Sequence, residues 1–371
     1  MQPKIYLSPP HISKKEYDYV EKALLSNWVA PAGPFIHQLE NYLENILSKK
    51  YCTALNSGTS AIHLGLQLLG IGKGDVVICQ SFTFVATANP ITYLGAEPVF
   101  IGSEPDTWNM NPVLLEEAIS EMIKKGKKPK AIIAVHAYGM PYKISEIHTI
   151  ANTYEIPVLE DSAEALGSKF KNDFCGAFGA YSVFSFNGNK IITTSGGGAL
   201  VCNNEALKEK ALYLSTQAKD TEIDFSHGKT GYNYRMSNVA AAIGCAQIEN
   251  LEGKVKARRN NFLYYKHALG NYDEISFQKE AENSYSNRWL TCVLVSSEEK
   301  RNYIINNLKN ENIESRTLWK PMHLQVIFKE NKAYCNGISE HLYKTGLCLP
   351  SGSNLTEADL ERITKVIIKS L

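Results

Sequence analysis

The 371-residue sequence has no excess of charge of either sign, since 39 Lys plus Arg against 38 Asp plus Glu leave a net +1. That balance removes the electrostatic reason to expect a nucleic-acid or anionic-membrane partner, and small-molecule chemistry becomes the default. No apolar run approaches the ~20 residues of a membrane span, and Met1-Gln2-Pro3-Lys4 opens no signal peptide. Eight cysteines stand singly without any Cys-x-x-Cys, several in apolar runs such as Val76-Val77-Ile78-Cys79. They read as buried reduced thiols of a cytoplasmic protein, and no metal site is expected. There is no Gly-x-x-x-x-Gly-Lys-Ser/Thr and no Gly-x-Gly-x-x-Gly after the first strand, so neither a P-loop nor a dinucleotide fold is indicated. Internal repeats and low-complexity segments are also lacking.

What is present is an alternation of strands and helices. Ser13-Lys14-Lys15-Glu16 is a capping box that predicts a helix to about Ser26, and Asn27 to Pro34 breaks it. A second helix carries Phe35, Leu39, Tyr42, Leu43 and Ile46 on one face. Strands are then predicted over 51–55, 75–79, 97–101, 131–136, 157–161, 181–186 and 198–201, with helices near 61–69, 85–93, 112–125 and 144–154. Such alternation gives an α/β fold whose mostly parallel sheet is sandwiched by helices, with ligands at the carboxyl ends of the strands. An alanine-rich helix over 232–248 is expected to close a large domain of residues 1–250, including an N-terminal loop region 1–34. Residues 251–371 change rhythm and read as a smaller α+β domain, with helices over 255–269 and 298–310, a strand over 289–295 and a last helix from about Thr356.

Three stretches carry chemistry at the expected strand ends. Ser57-Gly58-Thr59-Ser60 lies where a strand becomes a helix, which suits either an ordinary N-cap or a phosphate cradle. Glu160 and Asp161 end an apolar strand, but neighbours in a strand point to opposite faces, so only one of them can address a ligand. The other reading of such an acid is a salt bridge to an Arg or Lys. Finally, Lys190 stands between Asn187-Gly188-Asn189 and Gly196-Gly197-Gly198, with strand-like residues on both sides, Ile191 to Thr194 following it. This is either a surface hairpin with a solvated lysine or a rigidly held amine. An amine, a phosphate cradle and a strand-end carboxylate are together the three fixings that pyridoxal phosphate requires.

The order Ser57-Gly58-Thr59, Ser81-Phe82-Thr83-Phe84-Val85-Ala86-Thr87, Glu160-Asp161-Ser162-Ala163-Glu164-Ala165-Leu166-Gly167, 185–190 and Gly231-Tyr232-Asn233-Tyr234-Arg235 resembles the DegT/DnrJ/EryC1/StrS family over essentially the whole chain. These are fold-type-I, pyridoxal-phosphate-dependent sugar aminotransferases. The resemblance implies that Lys190 bonds the cofactor aldehyde and shuttles the proton. It implies that Asp161 pairs with the ring nitrogen, Phe84 stacks on the ring, and Gly58, Thr59, Ser60 and Ser185 hold the phosphate. Asn233 would reach the phosphate of a neighbouring subunit in a homodimer. Two departures stand out: Glu164 replaces the Gln that many members carry near the cofactor phenolate, and Ser195-Gly196-Gly197 replaces Gly-Glu-Gly.

The stretches Leu7-Ser8-Pro9-Pro10-His11, Ser26-Asn27-Trp28-Val29-Ala30-Pro31, Ser286-Asn287-Arg288-Trp289 and Leu318-Trp319-Lys320-Pro321-Met322-His323 resemble the C4 aminotransferases of the bacillosamine pathway. These aminate a UDP-linked 2-acetamido-4-keto-6-deoxy sugar with L-glutamate as donor. By that resemblance Asn27, Trp28, Trp319 and His323 line the sugar-nucleotide pocket, and Lys320 or Arg316 lies near the diphosphate; a Trp or His at these places is equally compatible with packing. Alternatives are another nucleotide sugar, of the GDP-perosamine type or the altrosamine epimer, and a non-catalytic homologue that only binds sugar nucleotide. Dehydratases of the family carry His where this chain has Lys190, which argues against dehydration.

Overall fold

The computed structural model describes residues 3–48, 50–220 and 224–371. Met1 and Gln2, where the signal-peptide expectation begins, lie outside the described residues. The predicted alternation condenses into one eight-stranded sheet. From one edge its strands run Tyr51–Leu55, Gly198–Cys202, Tyr181–Ser185, Val158–Asp161, Ala131–Val135, Val76–Gln80, Glu97–Ile101 and Ala333–Tyr334. All neighbours are parallel except Gly198–Cys202, which runs antiparallel to both strands beside it. The central strands are apolar on both faces because helices cover both, as a parallel sheet requires.

The one reversed strand decides where chain ends meet. Its register sets Gly198 opposite both Leu55 and Ser185, and Val183 pairs in turn with Asp161. The carboxyl ends of three strands and the amino end of a fourth therefore lie side by side on one edge of the sheet. Such close approach needs glycine: a Cβ on Gly198 would lie 2.5 Å from the Gly58 nitrogen, and one on Gly58 would lie 3.0 Å from Ser185 Cβ.

Helix ends follow the sequence signals where capping residues stand. Ser13 forms the expected capping box, and Ser57, Ser297 and Thr356 cap Gly58–Leu68, Glu298–Asn310 and Glu357–Ser370. The helix expected over 232–248 instead starts at Asn238, because the Tyr232 and Tyr234 amides donate to the Leu214 and Ser215 carbonyls and keep that stretch extended until Ser237 caps. Residues 191–194 are not a strand either. The sheet has no free edge beside Tyr181–Ser185, and the loop folds back, with Thr194 N–H donating to the Phe186 carbonyl and Ile191 and Ile192 buried.

The C-terminal part forms a four-stranded antiparallel sheet, Ser276–Phe277, Thr291–Leu294, Gly346–Leu349 and Arg316–Thr317, with Leu251–Leu269, Glu298–Asn310 and Glu357–Ser370 among its helices. Two segments cross a division at residue 250. Ala333–Tyr334 extends the large sheet, while Ile5 bridges to Ile313 and Leu7 N–H donates to Glu314.

Adjacent Glu160 and Asp161 do face opposite ways, and Glu160 points into the structure. Its carboxylate accepts from His136 Nε2 (2.8 Å), the Gly176, Phe178 and Gly179 amides (2.5, 2.9 and 3.0 Å) and Ser182 Oγ (3.0 Å). Burial alone would raise its pKa, but His136 and the backbone donors outweigh it and hold the carboxyl down to about 2. The stabilisation this gives is present above the ordinary carboxyl range and is lost as pH falls towards 2. Glu160→Gln is expected to lose roughly 2–3 kcal/mol in urea denaturation at pH 7, with the gap to wild type closing between pH 4.5 and 2. A pH-independent gap would contradict an ionised Glu160.

Candidate active site

The edge where the strand ends meet opens into a cavity of about 490 Å³. Ser57, Gly58 and Thr59 at a helix start, Ser185, Asp161, Glu164, Lys190, Phe84, Trp289, Arg316 and Trp319 all line it. A more open hollow of about 540 Å³, beside Asp106, Lys143, Lys171 and Glu282, holds none of the predicted residues. The chemistry gathers in the smaller one.

Lys190 sits in the loop that leaves the sheet at Ser185 and returns at Gly198. The loop turns through a Lys190 N–H bond to the Asn187 carbonyl (3.0 Å) and is closed by the Phe186 amide on Gly197 (2.8 Å). The amine is mostly buried and lies 2.9 Å from Glu164 Oε1 and 4.2 Å from the centre of the Trp289 ring. The solvated surface lysine is therefore not what the fold builds. Trp289 stacks at 6.1 Å on Tyr138, which stacks at 4.1 Å on Trp319 and accepts the Trp319 amide (3.0 Å). This aromatic wall bounds the amine side of the cavity.

Two carboxylates share the cavity with the amine. Burial raises the Asp161 pKa, opposed by the Thr87 hydroxyl (2.7 Å), the Ala163 amide (3.1 Å) and the Lys190 charge. Burial also pushes Glu164 up to about 7, against the pull of Lys190 and of the Tyr138 amide (2.8 Å). A carboxylate at this place is thus turned onto the lysine and a backbone donor, and near neutrality it exchanges its proton readily.

The residues present fit pyridoxal phosphate. A buried acid, an amine on the neighbouring loop, and a helix N-terminus whose Gly58 and Thr59 border the cavity supply partners for the ring nitrogen, the aldehyde and the phosphate of the cofactor. The Ser57 hydroxyl caps the helix by accepting the Ser60 amide (3.0 Å).

Several predicted residues lie elsewhere. Ser60 is buried behind the helix start with its hydroxyl given to Asn56 Oδ1 (2.7 Å), so it does not line the cavity. Asn233 stands outside, its carbonyl accepting from Asn56 Nδ2 (3.2 Å) and its backbone bridged to Thr216. Asn27, in a left-handed turn (φ 60°), and Trp28, 49 % exposed, are not among the residues that line this chain's own cavity. Lys320 is absent from the lining, and His323 is tied to Ser81 (2.6 Å) and Glu340 (3.1 Å). Arg316 and Trp319 do line the cavity, and Arg316 pairs with Glu314 (2.8 Å). Thr87, Tyr138 and Trp289 were not singled out as site residues. Thr87 carries the one readable signal, a hydroxyl in the first turn after Phe84; Tyr138 holds a left-handed φ of 57° that nothing in the sequence announces.

The family model of the DegT/DnrJ/EryC1/StrS aminotransferases matches residues 10–368. The chain is 49 % identical over 372 residues to EpsN of Bacillus subtilis, provisionally assigned as a pyridoxal phosphate-dependent aminotransferase, covering 99 % of this chain and 96 % of that protein. It is 35 % identical over 358 residues to the GDP-perosamine synthase of Escherichia coli O157:H7, covering 96 % of each. Among solved structures, the pyridoxal-phosphate form of Spr1654 from Streptococcus pneumoniae, provisionally a sugar aminotransferase, superposes with a TM-score of 0.91 at 26 % identity over 100 % of both chains.

One prediction concerns the cofactor-free protein. Because the Glu164 pKa is raised on folding, the stability its burial allows is present below pH 4.5 and is lost as pH rises through about 7. Glu164→Gln cannot ionise, so in thermal or urea unfolding it is expected to gain on wild type by about 2–3 kcal/mol between pH 4.5 and 8. Parallel stability profiles would contradict the shifted pKa.

With the match spanning nearly its whole length and the cavity built to suit the cofactor, the chain belongs to the DegT/DnrJ/EryC1/StrS family and is a pyridoxal-phosphate-dependent sugar aminotransferase.

Proposed function

We propose that this enzyme transfers the amino group of L-glutamate to C4 of a nucleotide-linked 4-keto-6-deoxy sugar. The proposed acceptor is UDP-2-acetamido-2,6-dideoxy-4-keto-hexose and the product UDP-4-amino-4,6-dideoxy-N-acetylglucosamine. The observation that carries amino transfer is the Lys190 amine, backed by Glu164 at 2.9 Å, in a cavity shared with Asp161 and a helix N-terminus. A second acceptor, linked to GDP and leading to perosamine, is supported by the 35 % identity to a GDP-perosamine synthase.

When bound, pyridoxal phosphate supplies an aldehyde that takes up the amine and a ring that withdraws electrons from the carbon bearing it. Asp161 would hold the ring nitrogen, Phe84 a ring face, Lys190 the aldehyde, and Gly58, Thr59 and Ser185 the phosphate. Lys190 Nζ takes and returns the proton at the amine-bearing carbon. Glu164, titrating near neutrality beside it, receives the hydrogen bond of the freed amine and can hold its proton between steps. Trp289, Tyr138 and Trp319 exclude water from that exchange, and Arg316 offers a cation at the rim for the diphosphate.

The active unit we propose is a homodimer. Asn233, which the resemblance places at a neighbour's phosphate, lies outside the cavity of its own chain, in keeping with that role. Residues 1–250 form the proposed cofactor-holding part and 251–371 the smaller part. The proposed compartment is the cytoplasm, in keeping with eight free cysteines; no described helix is long and apolar enough to cross a membrane.

The test offers UDP- and GDP-linked 4-keto sugars with glutamate and identifies the products by mass and NMR. Amination at C4 of the UDP sugar is expected; amination of the GDP sugar alone would favour the second acceptor, and amination of neither would overturn the proposal. In the same assay Lys190→Ala is expected to lose at least about 10³-fold in turnover while still folding. Turnover within tenfold of wild type would remove Lys190 from the reaction.

A further inference from the structure

The peptide that precedes the amine is gripped from outside its loop. The Asn189 carbonyl accepts both the Ser8 hydroxyl (2.7 Å) and the Trp289 Nε1–H (2.7 Å). Arg258 lies beneath both donors, fully buried in the helix Leu251–Leu269. Its guanidinium donates to the Trp289 carbonyl (2.6 Å), to Ser8 Oγ (3.0 Å) and to the Ser351 carbonyl (3.2 Å). These partners include no carboxylate, and desolvation pulls the guanidinium pKa down to about 10. Keeping a charge there is costly, and a neutral side chain of similar volume would be the cheaper core residue. What the charge does is fix directions. Ser8 Oγ, already accepting from Arg258, has its own proton left to give to Asn189, and the Trp289 backbone is held so that its indole N–H meets the same carbonyl.

The bend at 286–289, with Arg288 at φ 51°, extends the grip to the other member of the ion pair. Asn287 Nδ2 donates to the Glu164 and Leu166 carbonyls (2.8 and 2.9 Å), and its Oδ1 accepts the Trp289 amide (2.8 Å). The Trp289 ring in turn underlies the Lys190 amine. A lysine side chain has many rotamers, so where its nitrogen reaches depends on the orientation of its own peptide. A shift of ~1 Å at a reacting atom is enough to slow chemistry by orders of magnitude.

We infer that Arg258, Ser8 and Trp289 are positioning residues for Lys190, fixing through the Asn189 carbonyl the direction in which the amine is presented. The inference rests on Lys190 being the residue that holds the cofactor. It gives work to Ser8 and Arg258, which do not line the cavity, adds a second role to Trp289, and makes the C-terminal part a support for the reacting group.

The test uses full-length enzyme loaded with pyridoxal phosphate and two variants that each delete one donor to Asn189, Ser8→Ala and Trp289→Phe, with Ser8→Thr as rescue. The first readout is the pH titration of the lysine-bound cofactor absorbance without amino donor. The second is the split between kcat and KM for glutamate. Each deletion is expected to shift the absorbance titration by about half a pH unit or more and to lower kcat about threefold to tenfold, with KM within about twofold. Ser8→Thr is expected to restore both. If Ser8→Ala and Trp289→Phe, folded and loaded as wild type, titrate and turn over like wild type, the inference is overturned. A wild type that binds the cofactor on Lys190 but aminates no keto sugar refutes the proposed acceptor and leaves the absorbance test of positioning in force. A wild type in which no lysine-bound cofactor forms refutes the cofactor role of Lys190 and the positioning inference with it.

Discussion

Lys190 and Glu164 face each other at 2.9 Å, both largely buried, so burial drives the Glu164 carboxylate to take up a proton while the lysine beside it favours the charged form. Much of the structure exists to hold that pair. The reversed strand Gly198–Cys202 returns the lysine loop to the sheet beside Ser185, and its register brings the helix start at Gly58 and the end of the Asp161 strand to the same edge. Moving that strand by one residue would exchange its faces and separate the amine from the acid and from the anion site. Fold and site are here the same constraint.

The neighbouring acids show how environment divides labour. Glu160, with six donors, is held as an anion and pins the 174–182 segment. Asp161, one residue on, keeps only Thr87 and the Ala163 amide and turns to the cavity. Glu164 has a backbone amide and an amine as partners, and burial places its titration where an enzyme can use it. The glutamate at this position is satisfied by the Tyr138 amide and Lys190, and under the proposed function it would hold a proton beside the lysine.

What the sequence made legible was local. Period-two alternation separated Glu160 from Asp161, the Ser13 capping box marked the first helix, and the Lys190, Asp161 and Gly58 stretches came together as combined chemistry suggested. What stayed hidden depended on distant partners. Ile191 to Thr194 look like a strand by propensity, but no sheet edge is free to receive them, so they pack inward instead. Ser60 gives its hydroxyl to Asn56, a partner the sequence did not signal. Tyr138, Trp289, Ser8 and Arg258 are brought to Lys190 from four separate parts of the chain, and no spacing rule links them. Asn27, Trp28 and Asn233 lie outside this chain's cavity, so within one chain their chemistry remains that of a surface.

The central claim is that this one amine, among the many lysines, carries the cofactor. Its most direct test is to load the purified protein with pyridoxal phosphate, reduce it with borohydride and map the modified peptide by mass spectrometry. The account predicts a single pyridoxyl group on Lys190, formed in stoichiometric amount. Modification of a different lysine, or none at all, would contradict it.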